Sequence, residues 1–442
     1  MASSPGVAAL LFVLLLPLAA RANPVEAFGF GARAQGMASA VTAVVNDSTA
    51  NFYNPAGLAM TDALTIDVGY FFNRLDLRFN GRGQGVDNNS GIQAGILIPG
   101  RFGPVRWAFG IAVFLPDRRL SRVRALPQFQ PRWVLYDNRT QRIFLTTNIA
   151  IRPLKWLSIG GGVTFLTNTS GGVNIAGRIA FPNPTPSQLL TEVDVSLGTL
   201  RYPSVGIVVH PIPQLYIGVA YRGEVKLKLD LRATVNGFLT DTAGFKTKIP
   251  GSFRLDSVNA NLFSPHQVAF GVGWRPIPRL LWTVDVTWLN WSRYPASTAD
   301  VEVSLNVAGL GDGLLPPKVT VLPPRFHDIV TVRTGLEYEL RVNRYIDLLF
   351  RAGYAYEPTP APVQNGDTNY VDNEKHQITL GLGIDINNFS TIMTKPMSFD
   401  IAFQLYQLVS RDHRKVDPTD IVGDYRSSGR MYTFSISGSF RF

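Results

Sequence analysis

Apolar and polar residues alternate along most of the chain after residue 60. In the first such stretch one set of alternate positions holds Leu64, Ile66, Val68, Tyr70 and Phe72, and the other holds Thr65, Asp67 and Gly69. A period of two places the two sets on opposite faces of a β-strand. The pattern recurs to the last residue, and no later segment has about 18 consecutive apolar residues, so helical membrane spans are excluded.

Fourteen stretches show this alternation. They are 63–72, 91–99, 105–115, 141–152, 155–169, 200–210, 214–232, 257–275, 279–293, 327–340, 345–356, 374–387, 396–409 and 429–442. The number is even, as in bacterial single-chain barrels, and most stretches reach the roughly 9–11 residues that a tilted strand needs to cross a bilayer. The sequence therefore predicts an all-β fold, a 14-stranded antiparallel transmembrane β-barrel over residues 61–442.

The connections between these stretches alternate between short turns and long loops. The long ones are 73–90, 116–140, 170–199, 233–256, 294–326, 357–373 and 410–428. This alternation predicts one rim of short turns facing the periplasm, with both termini there, and one rim of long loops facing the exterior. The apolar positions of each strand are expected to face lipid, because a charge there costs about 2–4 kcal/mol at the bilayer midplane.

Residues 1–60 do not follow the alternation. Residues 1–22 are predicted to be a signal peptide, since a 13-residue apolar core, Ala8–Ala20, precedes the small-x-small cleavage pattern Ala20-Arg21-Ala22. The 38 residues 23–60 are rich in Ala, Gly and small polar residues. A 14-stranded barrel is too wide for its wall side chains to fill. Residues 23–60 are therefore predicted to be a hatch that plugs the lumen.

Composition limits the chemistry. The chain has no Cys, which excludes disulfides and Cys-ligated metals, and its net charge of +10 comes from scattered Lys and Arg without a basic tail. Nucleic-acid binding is therefore not expected, and the cations suit lipopolysaccharide and other outer-membrane lipids. The five His have no partner at a recognisable catalytic or metal spacing. We expect no metal, no cofactor and no enzymatic activity, with a barrel lipase as the remaining enzymatic alternative.

Several segments resemble one family of proteins. FGFGARAQGMASAVTAVVNDSTANFYNPAGLA, which contains Asn54, Pro55 and Ala56, is similar to the N-terminal hatch of the FadL-type outer-membrane transporters. The segments GVGWRPIPRLLWTVDVTWLNWSRY and RAGY, and the terminal Phe442, are similar to later parts of the same family. The resemblance covers essentially the whole chain after residue 22.

The resemblance implies a hatch-plugged barrel that imports long-chain fatty acids or aromatic and other hydrophobic compounds. It also implies a ligand pocket near the N-terminus and a sideways exit beside an inward kink in the third strand. Gly and Pro break strand ladders, so Gly103, Pro104 and Gly110 are candidates for that lateral gate.

Candidate ligand contacts come from three regions. The hatch offers Phe28, Phe30 and Phe52; the loop 116–140 offers Arg118, Arg119, Phe129 and Trp133; the wall offers Lys226, Arg333 and Arg351. Alternatively, the aromatic residues only pack the hatch, and the loop arginines bind lipopolysaccharide phosphates. The lumen charges Asp285, Arg333, Glu337, Asp347, Arg351 and Asp400 are expected mainly to pair with one another and hold wall and hatch together.

These patterns predict a monomeric protein of the bacterial outer membrane that passively takes up hydrophobic molecules, with long-chain fatty acids as the leading substrate. Aromatic hydrocarbons are the first alternative, taken up by the same route. A general porin or a purely structural barrel is the second.

Overall fold

The computed structural model describes residues 24–117, 130–136, 142–181, 188–241, 248–295, 300–307, 322–387 and 395–442. The predicted signal peptide, residues 1–22, lies outside these ranges and stays a prediction.

Fourteen of the described strands form the wall of a closed antiparallel barrel, which confirms the predicted fold. They are β1 (Thr65–Phe79), β2 (Asn89–Phe102), β3 (Val105–Pro116), β4 (Phe144–Leu154), β5 (Leu157–Phe181), β6 (Gln188–Ile212), β7 (Leu215–Arg222), β8 (Gln267–Ile277), β9 (Leu280–Leu289), β10 (Ile329–Arg341), β11 (Ile346–Glu357), β12 (Lys375–Ile386), β13 (Met397–His413) and β14 (Tyr425–Arg441). Each pairs with the next, and β1 pairs with β14 from Thr65↔Arg441 to Phe79↔Ser427. Closure leaves no free edge along this seam of the wall.

The two faces of the wall strands follow the predicted parity. On β10, Val330, Val332 and Leu336 are exposed on the outside of the barrel, whereas Thr331 and Glu337 are buried inside it. An apolar outer face is what a strand in contact with lipid requires.

Short turns lie at one rim of the barrel. β2 and β3, for example, are joined by Gly103 and Pro104 alone, and Gly103 has a left-handed φ of 58°. Residues 62–64, which lead into the barrel, and the end of β14 lie at this same rim, because Phe442 N–H donates to the Leu64 carbonyl. This is the rim that the sequence assigns to the periplasm, and we call it the periplasmic rim.

The opposite rim differs from the prediction, because several predicted loops are partly strand. Much of the predicted loops 170–199 and 233–256 is strand, in extensions of β5 and β6 and in Val225–Asp241 and Lys248–Ser264. Val225–Asp241 pairs in parallel with β5 at its outer end, and Lys248–Ser264 pairs with Asp300–Val307. The predicted strands 214–232 and 257–275 are each interrupted, at residues 223–224 and 265–266. A strand beyond the membrane needs no lipid-facing apolar side, so the periodicity that detected the wall was uninformative there.

The hatch lies inside the barrel as short pieces. They are α1 (Pro24–Phe28), α2 (Ala32–Gly36), α3 (Ala50–Tyr53) and a 3₁₀ segment, Pro55–Met60, and most of their residues are buried. The Asn54 side chain accepts from Ala56 N–H and so begins the 3₁₀ segment, with Pro55 at its first position.

Among the described residues, no helix is both long enough and apolar enough to span a membrane.

Candidate functional site

Two small cavities lie on either side of α1, in the lumen. The inner cavity, of about 90 Å³, is lined by Phe28, Gly29, Phe52 and Tyr53 of the hatch, and the outer cavity, of about 70 Å³, is lined by Leu135, Tyr136 and Trp291. Seven residues line both cavities: Glu26, Ala27, Gln267, Thr287, Arg333, Glu357 and Tyr406. Glu26 and Ala27 belong to α1, so α1 lies next to both cavities.

Aromatic rings surround the inner cavity. The Phe28 ring packs edge-on against Tyr406, with centroids 5.6 Å apart, and Phe30 stacks on Phe52 at 6.2 Å. Phe52 also contacts Tyr53 and Phe144 edge-on. The structure thus brings together the three hatch aromatics predicted for the ligand path. Their contact with ligand stays a prediction.

Two arginines reach the inner cavity, and their surroundings differ. Arg222 donates to the Phe52 carbonyl at 2.6 Å, and its guanidinium carbon lies 4.0 Å above the centre of the Phe52 ring. Arg333 has looser contacts, with 3.4 Å between its guanidinium and Thr287 Oγ1 and 3.7 Å between it and a Glu357 carboxylate oxygen. Charge-assisted hydrogen bonds are normally about 2.7–2.9 Å long. Of the two arginines, Arg333 therefore has the greater capacity for a further acceptor.

A third cavity, of about 300 Å³, lies on the periplasmic side of the hatch, and we call it the periplasmic vestibule. Its wall includes Phe30 and Gly31 at the inner end and Asp62, Lys395 and Arg441 at the rim. Phe30 and Gly31 line this vestibule, and the adjacent Gly29 lines the inner cavity.

An ionic ladder holds the hatch to the wall beside this vestibule. Arg33 of α2 donates to both Glu337 carboxylate oxygens, at 3.0 and 3.1 Å. Arg351 of β11 donates to Glu337 at 2.7 Å and to Asp400 at 2.6 Å. Three members were predicted as lumen charges that pair, and the structure pairs them. Arg33 was missed, since a lone Arg in a small-residue segment gives no periodic signal.

The Asn54-Pro55-Ala56 motif anchors the other end of the hatch. Asn54 Nδ2 lies 2.8 Å from the Thr42 carbonyl of the hatch and 3.2 Å from the Ile207 carbonyl of β6. One side chain therefore crosslinks two parts of the hatch and the wall.

Ten glycines line the wall at positions where the hatch comes close. A Cβ atom added to any of them would lie within about 3.1 Å of a hatch atom, so only Gly admits the hatch at that distance. They are Gly95, Gly110, Gly160, Gly206, Gly218, Gly271, Gly273, Gly335, Gly353 and Gly381. The sequence shows these glycines, but only the fold shows that they form one belt around the hatch, which we call the glycine belt.

The belt changes the interpretation of the third strand. β3 pairs with β2 from Phe102↔Val105 to Gly91↔Pro116 and with β4 from Arg106↔Arg152 to Phe114↔Phe144, with no shift of register. Gly110 admits Asn51 and Leu58 of the hatch, and Gly103 and Pro104 form a hairpin turn. The described residues of β3 contain no ladder break, and a lateral exit here stays a prediction.

The remaining predicted contacts are dispersed. Arg118, Arg119 and Phe129 lie outside the described residues. Trp133 is buried, stacked on Phe79 with centroids 5.4 Å apart, and Lys226 pairs with Glu224 at 3.1 Å. The Arg351 guanidinium already meets two carboxylates. Among the predicted basic residues that the structure describes, only Arg333 lines the cavities beside α1.

Extracellular segments cover the outer cavity. Arg132–Trp133 pairs in parallel with Tyr370–Val371, which joins two loops over the lumen. Asp372, in the second of these loops, is fully buried and lies 3.3 Å from Lys375 Nζ. Burial raises the pKa of the Asp372 carboxyl, although the Lys375 charge opposes the rise. These two loops lie next to the outer cavity, which Leu135, Tyr136 and Lys375 line.

A closed wall, an internal hatch and small aromatic cavities define a plugged transmembrane β-barrel rather than an open pore. Residues 14–442 match the family described as "Outer membrane protein transport protein (OMPP1/FadL/TodX)". The chain belongs to this family, whose members are outer-membrane channels that transport hydrophobic compounds.

Individual relatives agree with this membership. "Alkane uptake protein A" of Marinobacter nauticus is 33% identical over 119 residues, which is 26% of this chain and 25% of that protein. A FadL homologue of Pseudomonas aeruginosa matches with a TM-score of 0.57 and 15% identity over 96% of this chain and 99% of that one. The toluene transporter TodX of P. putida matches with a TM-score of 0.56 and 15% identity, over 94% of this chain and 99% of that one. At this identity the solved structures show the fold alone.

Proposed function

We propose that this protein takes up long-chain fatty acids by passive diffusion through the hatch-closed barrel. The observation that carries the proposal is Arg333, which lines both cavities beside α1 and whose guanidinium lies 3.4 Å from Thr287 and 3.7 Å from Glu357 among the described residues. A fatty acid needs an apolar path for its chain and one cation for its carboxylate. The ring cluster around Phe28 and Phe52 supplies the first, and Arg333 supplies the second.

The cavities as they stand are too small for such a ligand. Small-molecule pockets usually measure about 300–1,000 Å³, whereas these two measure about 70 and 90 Å³. Displacing α1 would join them, because Glu26 and Ala27 border both. We infer that the structure is the closed state and that ligand binding moves α1.

The chemistry of transport follows from the same features. A concentration gradient suffices to drive a hydrophobic molecule along such a path. On the basis of the sequence, we also propose that the protein is a monomer and that it contacts lipopolysaccharide.

Uptake of hydrocarbons is the second candidate. The relatives named for alkane and toluene uptake favour it, as does the number of aromatic rings in the lumen. A hydrocarbon has no group for Arg333 to bind, so Arg333 discriminates between the two candidates.

The test compares hexadecanoate with hexadecane, which have chains of the same length. Cells without other fatty-acid carriers would express the wild type, Arg333→Met, Arg333→Lys or the control Arg341→Met, whose guanidinium lies at the periplasmic end of β10. Losing a hydrogen bond to a charged group costs about 1.5–3 kcal/mol. We therefore expect Arg333→Met to lower hexadecanoate uptake at least tenfold, with hexadecane uptake within twofold.

Two results would count against the fatty-acid proposal. The first is equal loss of both substrates in Arg333→Met, which would indicate packing rather than charge. The second is a wild type that takes up hexadecane or toluene but not hexadecanoate, which would assign the protein to hydrocarbons.

A further inference from the structure

We propose that the outward-facing surface of β13, β14 and β1 is a binding site for one molecule of lipopolysaccharide. Arginines there bind the phosphates of the lipid headgroup, and the acyl chains lie on aromatic rings beside them. The site is outside the lumen. The inference rests on the proposed function, because it needs the protein in the outer membrane, and it gives the proposed contact with lipopolysaccharide a place on the wall.

A row of three phenylalanines crosses this surface. In the strand pairing, Phe434 of β14 is opposite Phe72 of β1 on one side and Phe403 of β13 on the other. Directly opposed residues of paired strands lie on the same face of a sheet. All three rings are exposed on the outside of the barrel. They form a continuous apolar surface that suits acyl chains.

Two arginines lie beyond this row, toward the exterior. Arg74 follows the row by two residues on β1, and Arg430 precedes it by four residues on β14. Alternate residues of a strand share a face, so both arginines point outward, and both are exposed. Arg74 is opposite Tyr432, and Arg430 is opposite Asp76, the next residue of β1 on that face. The two arginines are therefore diagonal neighbours, with Cα atoms about 7–8 Å apart, and one phosphate group is within reach of both.

Within the described residues, neither of these two charges has a carboxylate of its own. Arg430 donates to the neutral Gln407 at 2.7 Å, and Arg74 makes no ion pair there. Asp76 lies next to both, but its two oxygens already accept from Arg78, at 2.9 and 2.7 Å. Like charges on adjacent strands repel each other, so an anion from outside the protein would stabilise this surface.

A further ion pair extends the surface outward. Arg426 of β14 donates to both carboxylate oxygens of Asp412 of β13, at 2.6 and 3.1 Å. Together with the residues above, this gives the surface four arginines and two carboxylates, which is a net charge of +2. The ion pairs hold two of the arginines in place beside the two that are free to bind an anion.

The exterior ends of other described strands carry carboxylates instead. Asp117 follows β3, Asp328 precedes β10 and Glu374 precedes β12, and each accepts hydrogen bonds from neutral groups. Arg293, which follows β9, is paired with Glu224 at 2.6 Å. Among the described strands, the excess of positive charge is thus local to β13, β14 and β1. This points to a discrete site rather than a general attraction to anionic lipid.

Lipopolysaccharide fits both parts of this surface. Its phosphates lie on a glucosamine headgroup directly above several acyl chains, and an Arg guanidinium binds phosphate through two parallel hydrogen bonds. Tyr432 lies between the arginines and Phe434, and Tyr is enriched at this boundary between apolar and polar regions of a membrane. An acidic protein on the exterior would bind the arginines but leave the phenylalanine row without a role. The surface is therefore assigned to the lipid.

Native mass spectrometry of the detergent-solubilised protein tests the site. The probe is lipid A with two phosphates, the membrane anchor of lipopolysaccharide, titrated against the wild type, Arg74→Gln/Arg430→Gln and the control Arg293→Gln. We expect the wild type to retain one lipid A, the double variant to bind it at least tenfold more weakly, and the control to stay within twofold. Lipid A without phosphates, and phosphatidylglycerol, should each bind the wild type at least tenfold more weakly than the phosphorylated probe.

The comparison of lipids needs no variant, so the site is testable even if the double variant does not fold. Equal affinity of the double variant and the wild type for lipid A would overturn the site. Equal affinity of the wild type for lipid A with and without phosphates, or for lipid A and phosphatidylglycerol, would overturn it as well. A wild type that binds lipid A through these arginines but takes up no hydrophobic substrate would instead refute the proposed function and leave this site standing.

Discussion

Glu337 is the residue whose loss should most weaken the attachment of the hatch to the wall. It is 6% exposed and receives three hydrogen bonds, two from Arg33 and one from Arg351. Removing one partner of a buried ion pair typically costs about 3–5 kcal/mol. In Glu337→Gln, Arg351 still pairs with Asp400, and Arg33 still lies 3.6 Å from Asp47. We therefore expect the free energy of unfolding to fall by about 3 kcal/mol, the lower end of that range.

The assay is urea unfolding in detergent micelles, followed by tryptophan fluorescence. If the free energy of unfolding falls by about 3 kcal/mol per molar urea, the urea midpoint of Glu337→Gln should be about 1 M below that of the wild type. Glu339→Gln is the matched control: Glu339 lies two residues further on the same strand and makes no ion pair within the described part of the chain. Equal midpoints for the two variants would refute the reasoning that the ladder is a structural anchor.

Three other predictions test the belt, the motif and the lipid face. Gly353→Ala places a Cβ 2.6 Å from Ala38 N and should cost about 1–3 kcal/mol of unfolding free energy; Gly438→Ala, with 3.5 Å to its nearest atom, should cost less than half of that in the same titration. Asn54→Ala removes the hydrogen bonds to Thr42 and Ile207 and should lower stability by about 1–3 kcal/mol; an unchanged urea midpoint would argue against anchoring. Val332→Arg puts a charge on the lipid face and should cost up to about 2–4 kcal/mol, whereas Thr331→Val, on the lumen face, should cost much less; equal costs would reverse the face assignment.

The wall was predictable from sequence because each strand has one face toward lipid and one toward the lumen. Apolar and polar residues therefore alternate along it. Val330 and Thr331 show it most simply: adjacent residues are 47% and 0% exposed, one outside and one inside. The segment predicted as the hatch, residues 23–60, differs from the wall in lacking this alternation.

The arrangement inside the lumen could not be read in the same way. Arg33 and Glu337 are 304 residues apart, and nothing local to either predicts the other. Gly110 shows the same limit, because a glycine in a strand fits both a bend and the close approach of another backbone. Only the positions of Asn51 and Leu58 show that Gly110 makes room for the hatch. The extracellular strands lacked the lipid constraint that makes periodicity informative.

The central claim is that this barrel passes hydrophobic molecules while its hatch keeps the lumen closed to water-soluble ones. The most direct test measures both in the same cells, by comparing uptake of hexadecanoate and of a small hydrophilic dye with and without the protein. The account predicts that expression raises hexadecanoate uptake several-fold and leaves dye permeation unchanged. A rise in dye permeation with no rise in uptake of hexadecanoate or of a hydrocarbon would show an open porin and contradict it.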